Sequence, residues 1–122
     1  MKNNKVFGKF GEDLVVQMLL KQGFKIKARN YNKLCGEIDI IAQKGEVLSF
    51  VEVKSRINPL FDMTCLISPT KQKKIVNTAK YYCSEHDIRN MICRFDVALV
   101  TQNEIKISQV TIIENAFTES IV

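Results

Sequence analysis

An α/β fold, with a central mixed sheet flanked by helices, is what the residue pattern predicts. Three observations carry it. Two stretches, Lys5 to Gln22 and Ser68 to Glu85, repeat apolar residues at helical intervals. Three short runs rich in β-branched residues lie between them, and further such runs follow the second stretch. A chain of 122 residues that is 46% hydrophobic can bury one core, so a single domain over residues 1–122 is expected.

The elements follow in an αβββαβ-like order. In the first helix Phe7, Phe10, Leu14 and Met18 recur at helical spacing, and Gly23 is suited to end it. Phe24, Ile26 and Ala28 then alternate with Lys25, Lys27 and Arg29, which predicts a strand with one basic face. Gly36 to Ile41 and Leu48 to Lys54 flank the turn-like Gln43-Lys44-Gly45-Glu46, so they read as a hairpin. Ser55 to Ile67 is expected to be a loop, with Asn58-Pro59 as its turn. Ser68-Pro69 supplies an N-cap and a first-turn proline for a helix to about Glu85. Ile75, Val76, Ala79, Tyr82 and Cys83 form its apolar stripe. Ile92 to Thr101 and Ile105 to Ile113 are two more strands, joined near Gln102-Asn103.

The hairpin carries the chemistry. Alternation puts Glu37 and Asp39 on one face of the first strand and Glu52 and Lys54 on one face of the second. With Lys44-Gly45 as the turn, Asp39 pairs with Phe50 and Glu52 lies diagonally across from Asp39. Two carboxylates and an ammonium gathered there suit a divalent cation and a phosphodiester. A wet strand face, on which Glu52 and Lys54 neutralise each other, is the competing reading. The same face also carries Ile41, Leu48 and Phe50, so the charges continue an apolar surface.

The ordered set Gly8-Lys9-Phe10-Gly11-Glu12, Gly23-Phe24, Asn30-Tyr31 and Gly36-Glu37-Ile38-Asp39-Ile40-Ile41 continues through Phe50 to Arg56, Lys71-Gln72 and Arg94-Phe95-Asp96-Val97. Over about residues 6–100 the chain thereby resembles the YraN family of uncharacterised bacterial proteins (uncharacterised protein family 0102). That family is similar to the PD-(D/E)XK nuclease-like superfamily and to Holliday junction resolvases. Ile38 stands where the superfamily's nominal proline would precede the aspartate, as in the family's own motif.

The resemblance implies a restriction-endonuclease-like core and a Mg²⁺- or Mn²⁺-dependent endonuclease acting on DNA, branched DNA included. It implies that Asp39, Glu52 and the Val53 carbonyl hold the cation, and that Lys54 orients or deprotonates the attacking water. It adds Glu12 as a third acidic group and Gln72 as a polar group of the second helix beside the metal. Arg56, Lys71, Lys73 and Lys74 are the candidate phosphate contacts. Asp96 is expected to be structural, paired with a cation or backbone amides. Junction-cleaving relatives act as dimers, so a homodimer is one expected assembly. The alternatives are a nucleic-acid-binding or partner-docking module with weak or no cleavage, and a structural protein whose charges form a salt-bridge network.

The remaining composition is permissive. A net charge of +5 suits a polyanionic partner and equally an ordinary lysine-rich surface. Cys35, Cys65, Cys83 and Cys93 show no CxxC spacing, and the single His86 cannot complete a zinc set. Reduced thiols in a cytoplasmic protein are expected, with no membrane association, since the start of the chain lacks an apolar leader.

Overall fold

The computed structural model describes residues 2–57, 67–102, 105 and 108–119. Of the expected features, the Phe7 side chain, the Asn58-Pro59 turn, Cys65 and Asn103 lie outside the described part. The elements are α1 (Lys2–Lys21), β1 (Lys25–Lys33), β2 (Gly36–Lys44), β3 (Val47–Ile57), α2 (Pro69–Glu85), β4 (Ile92–Gln102) and β5 (Ser108–Phe117). The five strands form one open mixed sheet in the order β1-β2-β3-β4-β5. Only β3 and β4 run parallel; the other neighbours are antiparallel.

Each face of the sheet packs one helix. Val15, Val16 and Leu19 of α1 meet Ile40, Ala42, Val51, Ala98 and Val100. Ile75, Val76, Ala79 and Tyr82 of α2 meet Ile41, Leu48, Phe50, Phe95 and Val97. Along β3, Leu48 and Phe50 serve one core and Val51 and Val53 the other, as the period of two requires. The α2 stripe is the expected one. The α1 stripe is so only in part: Leu14 packs against the core, but Phe10 is 46% exposed, and Gly11, Val15, Val16 and Leu19 carry most of the inward face. A β-carbon on Gly11 would come within 2.3 Å of the Ser55 hydroxyl, so with a larger residue there that hydroxyl would have to turn away for α1 to lie this close to β3.

The hairpin register departs from the expectation by two residues. Lys44 pairs with Val47 and Ile41 with Phe50, so the tight loop is Gly45-Glu46. Gly45 takes φ +58° at the first loop position, where a type II′ hairpin turn requires glycine. A shift of two preserves the faces, so Asp39 and Glu52 still share a side. Strand β3 also runs on to Ile57, where a loop was expected from Ser55. Its parallel partner β4 supplies the ladder, out to Ile57 opposite Gln102.

Helix α2 begins as its sequence predicts. The Ser68 hydroxyl accepts the Lys71 N–H at 3.2 Å, and Pro69 fills the first turn. Gly36 fastens the start of β2 to this helix. It adopts φ +153°, and a β-carbon there would lie 2.9 Å from the Thr78 hydroxyl and 3.3 Å from the Lys74 carbonyl. The first residue of the Gly36-Glu37-Ile38-Asp39 run is therefore glycine because helix and strand meet there. Asp96 is structural, as expected. It is 2% exposed and accepts hydrogen bonds from Ser49, from Arg94 at 2.9 and 3.0 Å, and from the Asn115 N–H at 2.8 Å, tying β3, β4 and β5 together.

Candidate functional site

Where the β2–β3 register ends at the Ile40–Val51 pair, backbone pairing gives way to a side chain. The Val53 N–H donates to Asp39 Oδ2 at 2.8 Å. Beyond this point a cavity of about 360 Å³ opens between the strands and the start of α2. Gly36, Glu37, Asp39 and Glu52 line it from the sheet; Ser68, Thr70, Lys71, Lys74 and Ile75 line it from the helix.

Glu52 is the most buried charge lining this cavity, with its side chain 7% exposed. A buried carboxylate needs compensation. Lys71 Nζ lies 2.9 Å from Glu52 Oε1, and Lys54 Nζ lies 3.6 Å from the same oxygen. Burial and the Glu52 charge push the Asp39 carboxyl up to about 7, against the opposing Val53 hydrogen bond. Burial likewise lowers Lys54, helped by Lys71 and Arg56 and opposed by Glu52. Burial also acts to lower Lys71, but its hydrogen bond to Glu52 and that carboxylate's charge outweigh this and hold it above the ordinary lysine range.

Glu12 comes to the cluster from α1. Its carboxyl is raised chiefly by burial, with Glu37, Asp13 and Glu52 adding to the effect and Arg29 opposing it. Arg29 Nη2 lies 3.9 Å from Glu12 Oε1 and 2.8 Å from Asp13 Oδ1. Val53 turns its half-buried side chain to the α1 core, and its N–H is engaged by Asp39. Arg56 is exposed two residues beyond Lys54 on the same strand, with Nη1 on the Ser55 carbonyl at 2.9 Å.

Gln72 departs from its expected place. Its amide donates to the Ile67 carbonyl at 3.0 Å, and with Lys73 it lines a different cavity beside Pro69 and Asn77. One residue along α2 is a rotation of about 100°, so Lys71 faces Glu52 while Gln72 and Lys73 point elsewhere. Lys74 returns to the site side. Glu37, Ser68 and Thr70 were not among the expected site residues. For Glu37 the signal was present, because it stands two residues before Asp39 on the same strand face.

Among the described residues no group of three or more His, Cys, Asp or Glu side chains is gathered to hold a metal ion. A cation here would rest on two carboxylates, a backbone carbonyl and water. That fits Mg²⁺, a hard ion that keeps several waters and takes one or two carboxylates. Asp39 is raised first by burial and then by Glu52, while two ammoniums are drawn to Glu52 itself. No described helix is long and apolar enough to cross a membrane.

The model of the uncharacterised protein family UPF0102 matches residues 11–100. A UPF0102 protein of Clostridium perfringens is 48% identical over 101 residues, 79% of this chain and 80% of the relative. One from Clostridioides difficile is 44% identical over 116 residues, covering 94% and 99%. One from Dictyoglomus thermophilum is 41% identical over 117 residues, again 94% and 99%.

Proposed function

The chain belongs to the uncharacterised protein family UPF0102, and from the site it carries we propose that it is a Mg²⁺- or Mn²⁺-dependent endonuclease hydrolysing phosphodiester bonds in DNA. We read its mixed sheet, with one helix on each face, as the single-domain core of a PD-(D/E)XK nuclease similar to Holliday junction resolvases, working in the cytoplasm. The observation that carries the proposal is the Asp39–Glu52 pair in one cavity, with the half-buried Lys54 beside it.

Asp39, Glu52 and the Val53 carbonyl would hold the cation, which supplies charge neutralisation at the phosphate when bound. Asp39 is held in position by the Val53 N–H at 2.8 Å, so its carboxylate is oriented before any ligand arrives. Lys54 aligns a water against the phosphorus. Burial lowers Lys54, which favours the neutral amine; that amine takes the proton of the attacking water as the new oxygen–phosphorus bond forms, and the leaving oxygen, freed as its own bond to phosphorus breaks, takes a proton from solvent. Glu12 orders water at the α1 edge of the cluster. Lys74 and Arg56 offer charge to neighbouring phosphates.

The test is a cleavage panel of branched and linear DNA, with RNA alongside, in Mn²⁺ and in EDTA. Metal-dependent cutting that disappears in Lys54→Ala is expected; cutting that survives in that variant refutes the assignment. A second reading, a nucleic-acid-binding module without cleavage, draws on the Lys71–Glu52 pair, which neutralises the deepest acid internally. Metal-independent DNA binding with no cutting would favour it.

A further inference from the structure

We propose that Lys71 is an exchangeable counter-ion: a divalent cation displaces its ammonium from Glu52, and the displaced ammonium then contacts a phosphate of the bound nucleic acid. The inference rests on the cation-dependent reading of the site.

Two ammoniums converge on one oxygen, and they are not equivalent. Lys54 lies 3.6 Å from Glu52 Oε1, on the same strand two residues on, with its side chain 18% exposed. Strand pairing on to Ile57 opposite Gln102 holds it there. Lys71 lies closer, at 2.9 Å, yet its side chain is 44% exposed and comes from a different element, the first turn of α2. It sits on the cavity's wall beside Lys74. Four rotatable carbons give it reach that the strand does not constrain.

A hard cation takes carboxylate oxygen at about 2.1 Å. The oxygen that Lys71 approaches at 2.9 Å is one the cation would need. That oxygen already holds both ammoniums, so a doubly charged ion beside it adds a third positive centre, and the repulsion falls on the group that is free to move. Lys71 is the one able to leave, and the place it leaves for is the mouth of the cavity. There it would join Lys74, so one cation entering converts an internally neutralised wall into one presenting two ammoniums. Cation and phosphate binding are then coupled through a single side chain, and the coupling is reciprocal.

The experiment is calorimetric titration with Mn²⁺ alone, without nucleic acid, of the wild type, Lys71→Met and Lys71→Gln. Each is checked for folding by circular dichroism. Removing a competitor held by a half-exposed ion pair should tighten Mn²⁺ binding by about fivefold to tenfold in both variants. Equal or weaker binding overturns the role of Lys71 and leaves the nuclease reading standing. Absence of Mn²⁺ binding in all three proteins overturns the cation site itself, and the inference with it. A second arm uses fluorescence anisotropy of a short DNA duplex in the Lys54→Ala background. There Mn²⁺ should tighten duplex binding, and adding Lys71→Met should remove most of that gain. A gain that survives Lys71→Met refutes the exchange.

Discussion

Replacing Asp39 by Asn tests directly whether the fold forces two carboxylates together. Asp39 is raised from 3.8 to about 7, first by burial and then by Glu52. Between those values the folded chain holds a proton that the unfolded chain has already released. Stability therefore falls as pH rises through that window, and the full penalty is present only above about pH 7. The ceiling is about 4 kcal/mol. Lys54 and Lys71 already offset part of the Glu52 charge, so about half of that ceiling, roughly 2 kcal/mol, is expected. Asparagine keeps an oxygen for the Val53 N–H, so the local hydrogen bond survives. In EDTA at about pH 8 the variant should melt roughly 8 °C above the wild type, and at about pH 4 the two should coincide. Saturating Mn²⁺, at about 100 times its dissociation constant, should add about 2.7 kcal/mol to the wild type and little to the variant. Differential scanning calorimetry across pH, with and without metal, measures both effects. A variant less stable than the wild type at high pH, or a difference independent of pH, would mean that Asp39 belongs to a stabilising ion network, and the argument would fail.

Three further outcomes are expected. Lys54→Ala should bind Mn²⁺ in calorimetry within severalfold of wild type, because the cation's ligands are oxygens, while DNA cleavage is lost. Lys74→Ala should lower the slope of log affinity against log salt by about one in DNA-binding titrations, whereas Lys73→Ala, on the other cavity, should leave it near its wild-type value. Asp96→Asn removes the buried charge that the partly buried Arg94 pairs with and leaves a donor facing Ser49 or Asn115, so urea denaturation should show a loss of about 3 kcal/mol. A loss below about 1 kcal/mol would contradict the role given to this network.

The faces of the strands were legible because the side-chain period of two survives errors of position. The hairpin register was misjudged by two residues, yet Asp39 and Glu52 kept a common side. The cue that was missed is glycine's place in the turn: Gly45 comes first in the loop, with its positive φ, and not second. Helix azimuth was harder to read. In α1 the apolar residues at 7, 10, 14 and 18 formed a plausible stripe, but the smallest residue decides where the helix can touch the sheet, and that is Gly11 against Ser55. In α2 the resemblance pointed to Gln72 as the polar group beside the site. Its amide serves the Ile67 carbonyl, and the neighbouring Lys71, expected at a phosphate, reaches Glu52. No local pattern encodes a contact between residues 52 and 71, because α2 is set against the sheet by distant packing.

The one parallel pairing in the sheet governs the order in which the cluster can be assembled. Strands β1, β2 and β3 are joined by short turns, so Asp39 and Glu52 are brought together by contacts local in sequence. Strand β3 finds its other neighbour only after α2 has crossed over, and Val47 waits for Ile92, 45 positions later. Such distant pairings close slowly, because the loop-closure entropy is lost before any contact repays it. A hairpin formed ahead of that pairing would hold its two acids facing solvent, with neither the Lys71 ammonium nor the β4 flank in place. Water screens their repulsion then and is expelled later, so the electrostatic cost falls on the last stage of folding, when the parallel strand docks.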